Sequence, residues 1–315
     1  MTLCTIGASI IHLHTPDRSG RVSDIVLGYR NLAHYATGDS YFGATIGRYA
    51  DRISHGGFSI GSASYVLDRN DPSGHSVHGG AHGFSRRIWD VVAMQDEPYP
   101  QICLKLHSKG GDMGYPGNMQ TRVTYALEPE GRVTITYDSL VDAPCPVSLT
   151  NHSYFNLSYG DRIHDHRITL WASHYVPVDG EQLPTGDVVS LEGLGMDFRT
   201  PSRLGDVLDA AGGVDHAYVL DDRSTGLKRC AMVEEPVSGR IMSVFTTYPV
   251  VLLYTGNDLD QESNGRDRRS GTQYGGFCLE AEQYPDSMNH PRFPSAIHDP
   301  GRWYRHQIVY EFGVL

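Results

Sequence analysis

The chain has 315 residues, of which 39% are hydrophobic and 20% charged, and its formal net charge is −11. This composition excludes wholesale disorder, and the negative charge argues against nucleic acid and anionic membrane surfaces as partners. The five cysteines include no Cys-x-x-Cys pair, so we expect a protein without disulfides. Residues 1–14 lack the features of a signal peptide, and no stretch approaches the roughly 20 apolar residues of a membrane span. We therefore expect a cytoplasmic protein.

The dominant sequence period in the first half of the chain is two, which predicts β-strands. Residues 58–60 and 65–67 flank the turn-forming residues 61–64 (GSAS) and predict a β-hairpin. Residues 121–127 and 132–140 alternate in the same way on either side of residues 128–131 (EPEG), which predicts a second hairpin. In its second strand, Val133, Ile135 and Tyr137 face one side.

Helix signals are sparse in the second half. Residues 200–212 carry the best one, with Thr200 as N-cap, Pro201 at the first helical position and Gly212 after the end. The predicted helix has an apolar face made of Leu204, Val207, Leu208 and Ala211.

Three further segments complete the predicted architecture. Residues 250–253 are a continuous apolar run, typical of a strand buried on both faces. Residues 258–272 predict an exposed loop, and residues 306–314 predict a closing strand. We therefore expect residues 1–315 to form a single, large, all-β domain of sandwich type, mostly antiparallel.

Two titratable side chains stand among apolar and aromatic neighbours. Glu280 lies in residues 277–286 (FCLEAEQYPD), and His152 lies in residues 149–157 (LTNHSYFNL). A carboxylate and an imidazole can together move a proton off one oxygen and onto another, which is sufficient to open and close a sugar hemiacetal without a cofactor. Taken alone, Glu280 also fits a carboxylate paired with an arginine, and His152 a buried histidine bound to a backbone carbonyl.

Residues 75–84 (HSVHGGAHGF) contain three histidines, which raises the question of a metal. Zinc ligands usually come at recognisable spacings, and Gly79 and Gly80 prevent a helix that would align these side chains. We therefore expect no metal, and a glycine-rich loop that holds His78 against a ligand. Two further histidines lie in residues 164–166 (HDH), a segment that predicts a surface turn.

Two further side chains are candidates for binding hydroxyl groups. Arg52 offers a fixed fork of donors to vicinal hydroxyls, although a salt bridge with Asp51 is an equal interpretation. Asp215 follows Gly212 and Gly213, so it is either a hydroxyl acceptor or a turn residue.

The chain as a whole resembles the galactose mutarotases (aldose 1-epimerases). The motifs that carry this resemblance come in family order at residues 41–44 (YFGA), 47–48 (GR), 51–53 (DRI), 78–80 (HGG), 83–84 (GF), 114–117 (GYPG), 151–157 (NHSYFNL), 184–186 (PTG), 197–199 (DFR), 215–216 (DH), 254–257 (YTGN), 279–280 (LE), 285–286 (PD), 289 (N) and 291–294 (PRFP).

The resemblance implies a β-sandwich of unusual size that interconverts the α and β anomers of free aldoses without a cofactor. By the matching motifs, Glu280 would be the catalytic base and His152 the catalytic acid. His78 would be a second histidine of the site, and Arg52 and Asp215 would bind sugar hydroxyls.

Three positions depart from the family pattern. Asp51 and Glu282 each stand where the family usually has an amide, and Leu252 stands where relatives have glutamine. If these side chains face the site, they are specificity positions that favour a small neutral sugar over an anionic one. The alternative is that Asp51 and Glu282 point at arginines outside the site.

Two other functions remain open at this point. One is a non-catalytic sugar-binding or sensor protein on the same fold. The other is a metal-dependent sugar isomerase that uses His75, His78 and His82. We expect the protein to be a monomer or a homodimer.

Overall fold

The computed structural model describes residues 1–315 and is built mainly of β-strands. The first thirteen strands are β1 (Thr2–Cys4), β2 (Ser9–His12), β3 (His14–Pro16), β4 (Val22–Asp24), β5 (Thr45–Ile46), β6 (Arg52–Ile53), β7 (Gly57–Ile60), β8 (Ala63–Val66), β9 (Ser76–Val77), β10 (Asp90–Gln95), β11 (Gln101–Ser108), β12 (Met119–Glu128) and β13 (Arg132–Val141).

The second half of the chain adds thirteen more strands and the one α-helix. These are β14 (Cys145–Pro146), β15 (Thr150–Asn151), β16 (Arg167–Leu170), β17 (Ala172–Val176), β18 (Val189–Ser190), β19 (Ser202–Arg203), α1 (Leu204–Ala211), β20 (Asp215–Leu220), β21 (Lys228–Glu234), β22 (Arg240–Thr246), β23 (Val250–Tyr254), β24 (Cys278–Glu282), β25 (Ile297–His298) and β26 (Tyr304–Val314). No helix combines the length and the apolar character that crossing a membrane requires.

Two antiparallel sheets dominate the architecture and confirm the β-sandwich prediction. The larger sheet has nine strands in the order β10-β11-β12-β13-β26-β22-β21-β16-β19. The smaller sheet has five, in the order β18-β17-β20-β23-β24. Six two-stranded ladders connect and flank them. β24 is an edge strand of the smaller sheet.

A cluster of 54 buried hydrophobic residues forms the main core. It takes Val123, Tyr137 and Val244 from the large sheet, and Tyr218 and Leu253 from the small one. Every residue of β24 is buried. Burial of apolar surface on this scale supplies the free energy that also holds a few buried polar side chains in place.

Several sequence predictions are confirmed. β12 pairs with β13 from Met119 opposite Val141 to Glu128 opposite Arg132, so the second hairpin forms as expected. The run at 250–253 is a buried strand, and β26 closes the large sheet between β13 and β22. The first hairpin also forms, but its turn is only Gly61 and Ser62, because Ala63 and Ser64 pair with Ile60 and Ser59.

The helix prediction is partly wrong. The helix begins at Leu204 rather than after Thr200, because Ser202 and Arg203 pair with β16 as an edge strand. A tertiary ladder therefore overrides the local capping signal. Gly212 does end the helix, in the left-handed conformation, and its N–H bonds to the carbonyl of Leu208.

Two predicted surface segments are more buried than expected. His166 is buried, and its Nε2 accepts a hydrogen bond from the Leu157 N–H at 2.9 Å. In the loop at 258–272, Leu259 and Ser270 are buried, and Arg266 donates to the carbonyls of Ile11 and Val26. Long-range contacts of this kind leave no local signal in the sequence.

Candidate active site

One cavity of about 190 Å³ collects the side chains singled out in the sequence. We call it the inner cavity. Three adjacent strands of the small sheet, β20, β23 and β24, supply part of its wall. Asp215 on β20 lies opposite Tyr254 on β23, and Leu252 on β23 lies opposite Glu280 on β24. The full lining is Asp39, Tyr41, Asp51, Arg52, Val77, His78, His152, Tyr154, Asp215, Leu252, Tyr254, Asp258 and Glu280.

Glu280 and His152 face each other in this cavity. Oε1 of Glu280 lies 3.4 Å from Nε2 of His152, and the two residues are only 2% and 4% exposed. The other carboxylate oxygen, Oε2, is buried and has no hydrogen-bond partner. A buried polar atom without a partner is costly, so Oε2 is positioned to accept a hydrogen bond from a bound molecule.

The electrostatic environment disfavours charge on both groups. Burial raises the pKa of the Glu280 carboxyl well above its ordinary value, and the carboxylates of Asp51 and Asp215 raise it further. Burial lowers the pKa of His152 to about 4. The surroundings therefore favour the neutral form of each group, a protonated carboxyl and an unprotonated imidazole, which together hold one proton.

His152 is held in place by backbone and side-chain contacts. It follows β15, and its backbone N–H and C=O bond to Ala44 and Gly43. Nδ1 of its ring lies 3.5 Å from the thiol of Cys278, and the ring stacks on Tyr154 with 5.1 Å between centroids. Cys278 and Glu280 are two residues apart on one strand, so both reach the same imidazole, one at each nitrogen.

A second imidazole is fixed by an exchange of hydrogen bonds between two loop residues. The Asp51 N–H donates to Nδ1 of His78 at 3.1 Å, and the His78 N–H donates to the Asp51 carbonyl at 3.1 Å. Because Nδ1 accepts, the proton of the neutral ring resides on Nε2, which is a hydrogen-bond donor. Burial, followed by the neighbouring His152, lowers the pKa of His78 well below its ordinary value.

Three lining residues have the left-handed backbone conformation that side chains rarely adopt. Their φ angles are +52° at Tyr41, +60° at Asp51 and +52° at His78. Such residues concentrate at ligand sites, where the surrounding structure enforces the conformation. At Gly79 (φ +88°) a Cβ would lie 1.9 Å from the carbonyl oxygen of Gly47, so glycine is required beside His78.

Arg52 is the only arginine or lysine in the wall of the inner cavity. Its Nη1 lies 3.3 Å from Oδ1 of Asp51, and its Nε is buried without a hydrogen-bond partner. Burial, and next the carboxylate of Asp51, raises the pKa of Asp215 to about 7. The cavity thus combines one guanidinium with several carboxyl groups whose charges are incompletely balanced.

The three departures from the family pattern have different locations. Asp51 and Leu252 line the inner cavity, and Asp51 pairs with the lining residue Arg52 rather than with an arginine outside. Glu282 does not line the cavity. It is 1% exposed, forms no ion pair, and its Oε1 has no hydrogen-bond partner. The prediction that Glu282 faces the site is therefore wrong, because its side chain does not line the cavity. The alternative that it points at an arginine is also wrong, because it forms no ion pair.

A larger outer cavity of about 440 Å³ adjoins the inner one. Asp39, Tyr154, Tyr254 and Asp258 line both. The remaining lining of the outer cavity is Thr37, Gly38, Ser40, Leu259, Gln261, Glu262, Ser263 and Asn264. Two loops, near residues 37–41 and 258–264, therefore contribute residues to both cavities.

Sequence reasoning did not identify several residues in or beside the cavity. Tyr154 and Cys278 lie two positions from His152 and from Glu280, and the period of two in extended chain was the signal that could have found them. Asp39 and Asp258 come from irregular loops, where no periodicity exists. Their proximity to the site is visible only in the tertiary structure.

The structure does not bring the three histidines of residues 75–84 together as a metal site. His82 is exposed, and His75 is buried with its Nε2 3.6 Å from Glu181. The one group of three potential ligands is His152, Cys278 and Glu280, whose donor atoms lie within 4.8 Å of one another. The imidazole of His152 contacts Cys278 through Nδ1 and Glu280 through Nε2. These two nitrogens lie on different sides of the ring, so one metal ion could bind only one of them unless the ring rotated.

Comparisons with known proteins agree with this fold. The sequence profile of the family described as aldose 1-epimerase matches residues 1–311. The chain is 40% identical to the galactose mutarotase of Mus musculus, over 98% of this chain and 89% of that protein. It is 33% identical to the aldose 1-epimerase of Escherichia coli, over 99% and 91%.

Solved structures give the same result. The aldose epimerase homologue from C. elegans superimposes with a TM-score of 0.91 at 27% identity, covering 99% of this chain and 95% of that one. Galactose 1-epimerase from Lactobacillus acidophilus superimposes with a TM-score of 0.85 at 25% identity, covering 99% and 90%.

Proposed function

The chain belongs to the aldose 1-epimerase family, and on that premise we propose that it interconverts the α and β anomers of a free neutral aldose, with Glu280 and His152 as the proton-transfer groups. It is an isomerase that acts on small sugars. The observation that supports the assignment of roles is the buried pair itself, with 3.4 Å between Glu280 Oε1 and His152 Nε2 in a cavity of about 190 Å³.

The proposed reaction uses the single proton of the pair. A closed-ring sugar binds with its anomeric hydroxyl on Glu280 and its ring oxygen near Nε2 of His152. Glu280 removes the proton from the anomeric oxygen while His152 protonates the ring oxygen, and the C1–O5 bond breaks. The C1–C2 bond rotates, the two groups reverse their roles, and the ring closes on the other face. Each proton-transfer group typically contributes about 10²–10⁴-fold to the rate.

The electrostatics of the empty site favour the middle of this reaction. After ring opening, the proton is on Glu280 and the imidazole is neutral, which is the state that burial of the pair favours. To begin the cycle, that proton must move to His152. A hydroxyl donating to the unpartnered Oε2 of Glu280 stabilises the carboxylate and so assists this step. The site is thus matched to the open aldehyde intermediate more closely than to either ring form.

The remaining side chains are proposed to position the sugar. His78 donates through Nε2, and Arg52 and Asp215 bind hydroxyl groups across the cavity from Glu280. Asp51 and Leu252 act as specificity positions, and Glu282 would act only from behind the wall. Because the cavity holds several carboxyls and one cation, we expect anionic sugars such as uronates to bind poorly. Leu252 offers no hydrogen bond, so we expect galactose and glucose to be converted less efficiently than by relatives with glutamine there.

The proposal also covers the protein as a whole. We propose that residues 1–315 form one domain, active as a monomer or homodimer in the cytoplasm. Support for a reducing compartment comes from the five cysteines, all of which are free. The net charge of −11 supports the absence of nucleic-acid and membrane partners.

Polarimetry on freshly dissolved α-galactose tests the proposal. We expect nanomolar protein to accelerate the approach to anomeric equilibrium well beyond the rate of the same buffer without protein. A folded protein that binds the sugar without accelerating this change would instead be a sugar-binding or sensor protein. Preincubation with a chelator separates the remaining alternative, since loss of the rate and its return with zinc would indicate a metal-dependent isomerase.

A further inference from the structure

The inner cavity has an excess of carboxyl groups over cations. Five acids line it: Asp39, Asp51, Asp215, Asp258 and Glu280. Arg52 is its single arginine or lysine, and Asp51 already pairs with that guanidinium at 3.3 Å. Outside the cavity wall, Arg86 pairs with Asp39 at 2.5 Å. Asp215 and Glu280 have no arginine or lysine partner.

Glu280 is buried and Asp215 is half-buried, and neither carboxyl group is fully hydrogen-bonded within the protein, which separates them from an ordinary acidic surface. Glu280 is 2% exposed, and its Oε2 has no hydrogen-bond donor within the protein. The Asp215 carboxylate accepts no side-chain or backbone hydrogen bond, and its only side-chain charge of opposite sign nearby is Arg52. Behind the wall, the buried Glu282 adds a further carboxyl. A ligand that supplies both hydrogen-bond donors and positive charge would satisfy this wall.

The other titratable groups of the wall do not supply that charge. Burial lowers the pKa of both His78 and His152, so both imidazoles are neutral. Burial raises the pKa of the lining tyrosines, Tyr41, Tyr154 and Tyr254, so they remain uncharged. Burial, and next the carboxylate of Asp51, raises the pKa of Asp215 to about 7, which favours its protonated form when no cation is near.

Hydroxyl groups and an ammonium group would satisfy this wall to different degrees. A hydroxyl donates one hydrogen bond and brings no charge, whereas an ammonium donates three and carries a full positive charge. Hydrogen bonds with an ionised donor or acceptor are shorter and about twice as strong as neutral ones. A cation also shifts the neighbouring carboxyls to their ionised form, so its binding releases protons from the site.

We propose that the inner cavity accepts free aldoses that carry a protonated amine in place of one hydroxyl, and that it binds these amino sugars more tightly than the neutral sugar of the same configuration. Asp215 and Asp51 are the partners of the ammonium group. The reaction is unchanged, because the amine stays on its carbon while the ring opens and closes at C1. This inference rests on the proposed function.

The decisive experiment compares galactosamine with galactose by NMR exchange of their anomers on one enzyme preparation. Measurements span the pH range over which the amine of galactosamine titrates, which the same spectra report. We expect a KM for galactosamine about tenfold below that for galactose while the amine is protonated. The KM for galactosamine should rise to at least the galactose value once the amine is neutral. Galactose carries no titrating group in this range, so it controls for titration of the enzyme.

The outcomes separate this inference from the proposed function. If galactose is converted and galactosamine has an equal or higher KM at every pH, the amino-sugar inference is overturned and the epimerase stands. If neither sugar exchanges faster than in buffer, the proposed function itself is lost. Galacturonate, which carries a negative charge, is the third sugar in the comparison. If the enzyme binds galacturonate as tightly as galactosamine, charge does not determine binding and the amino-sugar inference is overturned.

Two variants test the named partners. Asp215→Asn and Asp51→Asn keep the shape of the side chains and remove a carboxylate, and each should bring the ratio of the two KM values close to one. The matched control is Asp299→Asn, at an exposed aspartate that forms no hydrogen bond or ion pair with another residue, and it should leave the ratio unchanged. If one variant fails to fold, the other still decides. A tenfold preference that survives both substitutions would refute the assignment of Asp215 and Asp51.

Discussion

The thiol of Cys278 lies 3.5 Å from Nδ1 of His152. Glu280, two residues along the same strand, contacts the other ring nitrogen at 3.4 Å. One buried strand therefore sets the position of the imidazole at both nitrogens. Burial raises the pKa of the Cys278 thiol well above its ordinary value, so this contact is made by a thiol and not by a thiolate.

This contact makes Cys278 a positioning residue whose loss should be measurable. We expect Cys278→Ala to lower kcat about tenfold with little change in KM, because the imidazole gains freedom to rotate and proton transfer depends on its geometry. Cys278→Ser keeps a hydrogen-bonding group and should recover most of the loss. Steady-state polarimetry on both variants decides, and equal kcat values for alanine, serine and cysteine would show that the thiol only fills space.

Replacement of Glu280 by glutamine should abolish most of the turnover without damaging the fold. The amide keeps the shape of the side chain but cannot accept the proton, so we expect kcat to fall by about 10²-fold or more. The melting temperature should not fall, because the substitution removes a buried carboxyl with an unpartnered oxygen. Near-normal turnover in a folded Glu280→Gln protein would rule out its role as the base.

The two histidines should respond differently to substitution. His152→Gln removes the group that exchanges a proton with the ring oxygen, so kcat should fall by about 10²-fold while KM changes little. His78→Gln removes a fixed donor to the sugar, so kcat and KM should change together. The comparison needs full saturation curves for both variants. Identical effects of the two substitutions on both constants would contradict the separate roles.

Leu252 stands directly opposite Glu280 in the ladder between β23 and β24. Side chains at opposed positions lie about 5 Å apart at Cβ, so a glutamine at 252 can donate to the unpartnered Oε2 of Glu280 or to the sugar. We expect Leu252→Gln to raise kcat/KM for galactose by roughly tenfold, the value of about one added hydrogen bond. Leu252→Met, which adds no donor, is the matched control. A gain shared by both variants would point to packing instead.

The stability of Asp286→Asn should depend on pH in a defined direction. Burial raises the pKa of Asp286 from 3.8 to about 7, so between these values the folded chain holds a proton that the unfolded chain has released. This contribution favours the native state at low pH and is lost as pH rises through 7. The free energy of unfolding of Asp286→Asn, relative to the unsubstituted chain, should therefore increase from pH 4 to pH 7.

Urea titrations at several pH values measure this difference. Asparagine suits the site because residue 286 has a φ of +50°, a conformation that asparagine tolerates. The exposed Asp299→Asn variant is again the control and should show no such trend. A difference that stays constant or decreases with pH would mean that Asp286 is ionised in the native state.

The sequence predicted the sheet architecture more reliably than the surroundings of the site. Strands with a strict period of two, such as residues 132–140, depend on burial of one face, which the residues themselves encode. The start of the helix failed as a prediction because Ser202 and Arg203 pair with β16, a contact that lies outside the local window. The burial of His166 was missed for the same reason.

The residues of the candidate site could likewise be predicted only in part. Side chains on strands or beside them, such as Glu280, His152 and Asp215, could be proposed from motifs because the ladders fix where they lie. The absence of Glu282 from the cavity lining could not be predicted, because it depends on the tertiary packing around the end of β24. Asp39 and Asp258 were not predicted either, since irregular loops bring them to the site without any sequence period.

The wall shared by the inner and outer cavities has a consequence for the speed of sugar entry. Asp39 and Asp258, which line both cavities, are exposed, and Glu262 adds a further carboxyl to the outer cavity. The discrimination between charged sugars therefore begins during approach, as a difference in association rate, and fields of this kind are screened over roughly 8–10 Å at physiological ionic strength. Added salt should narrow the gap between cationic and anionic sugars at entry while leaving neutral sugars unaffected, so ionic strength becomes a means of adjusting which free sugars this protein equilibrates.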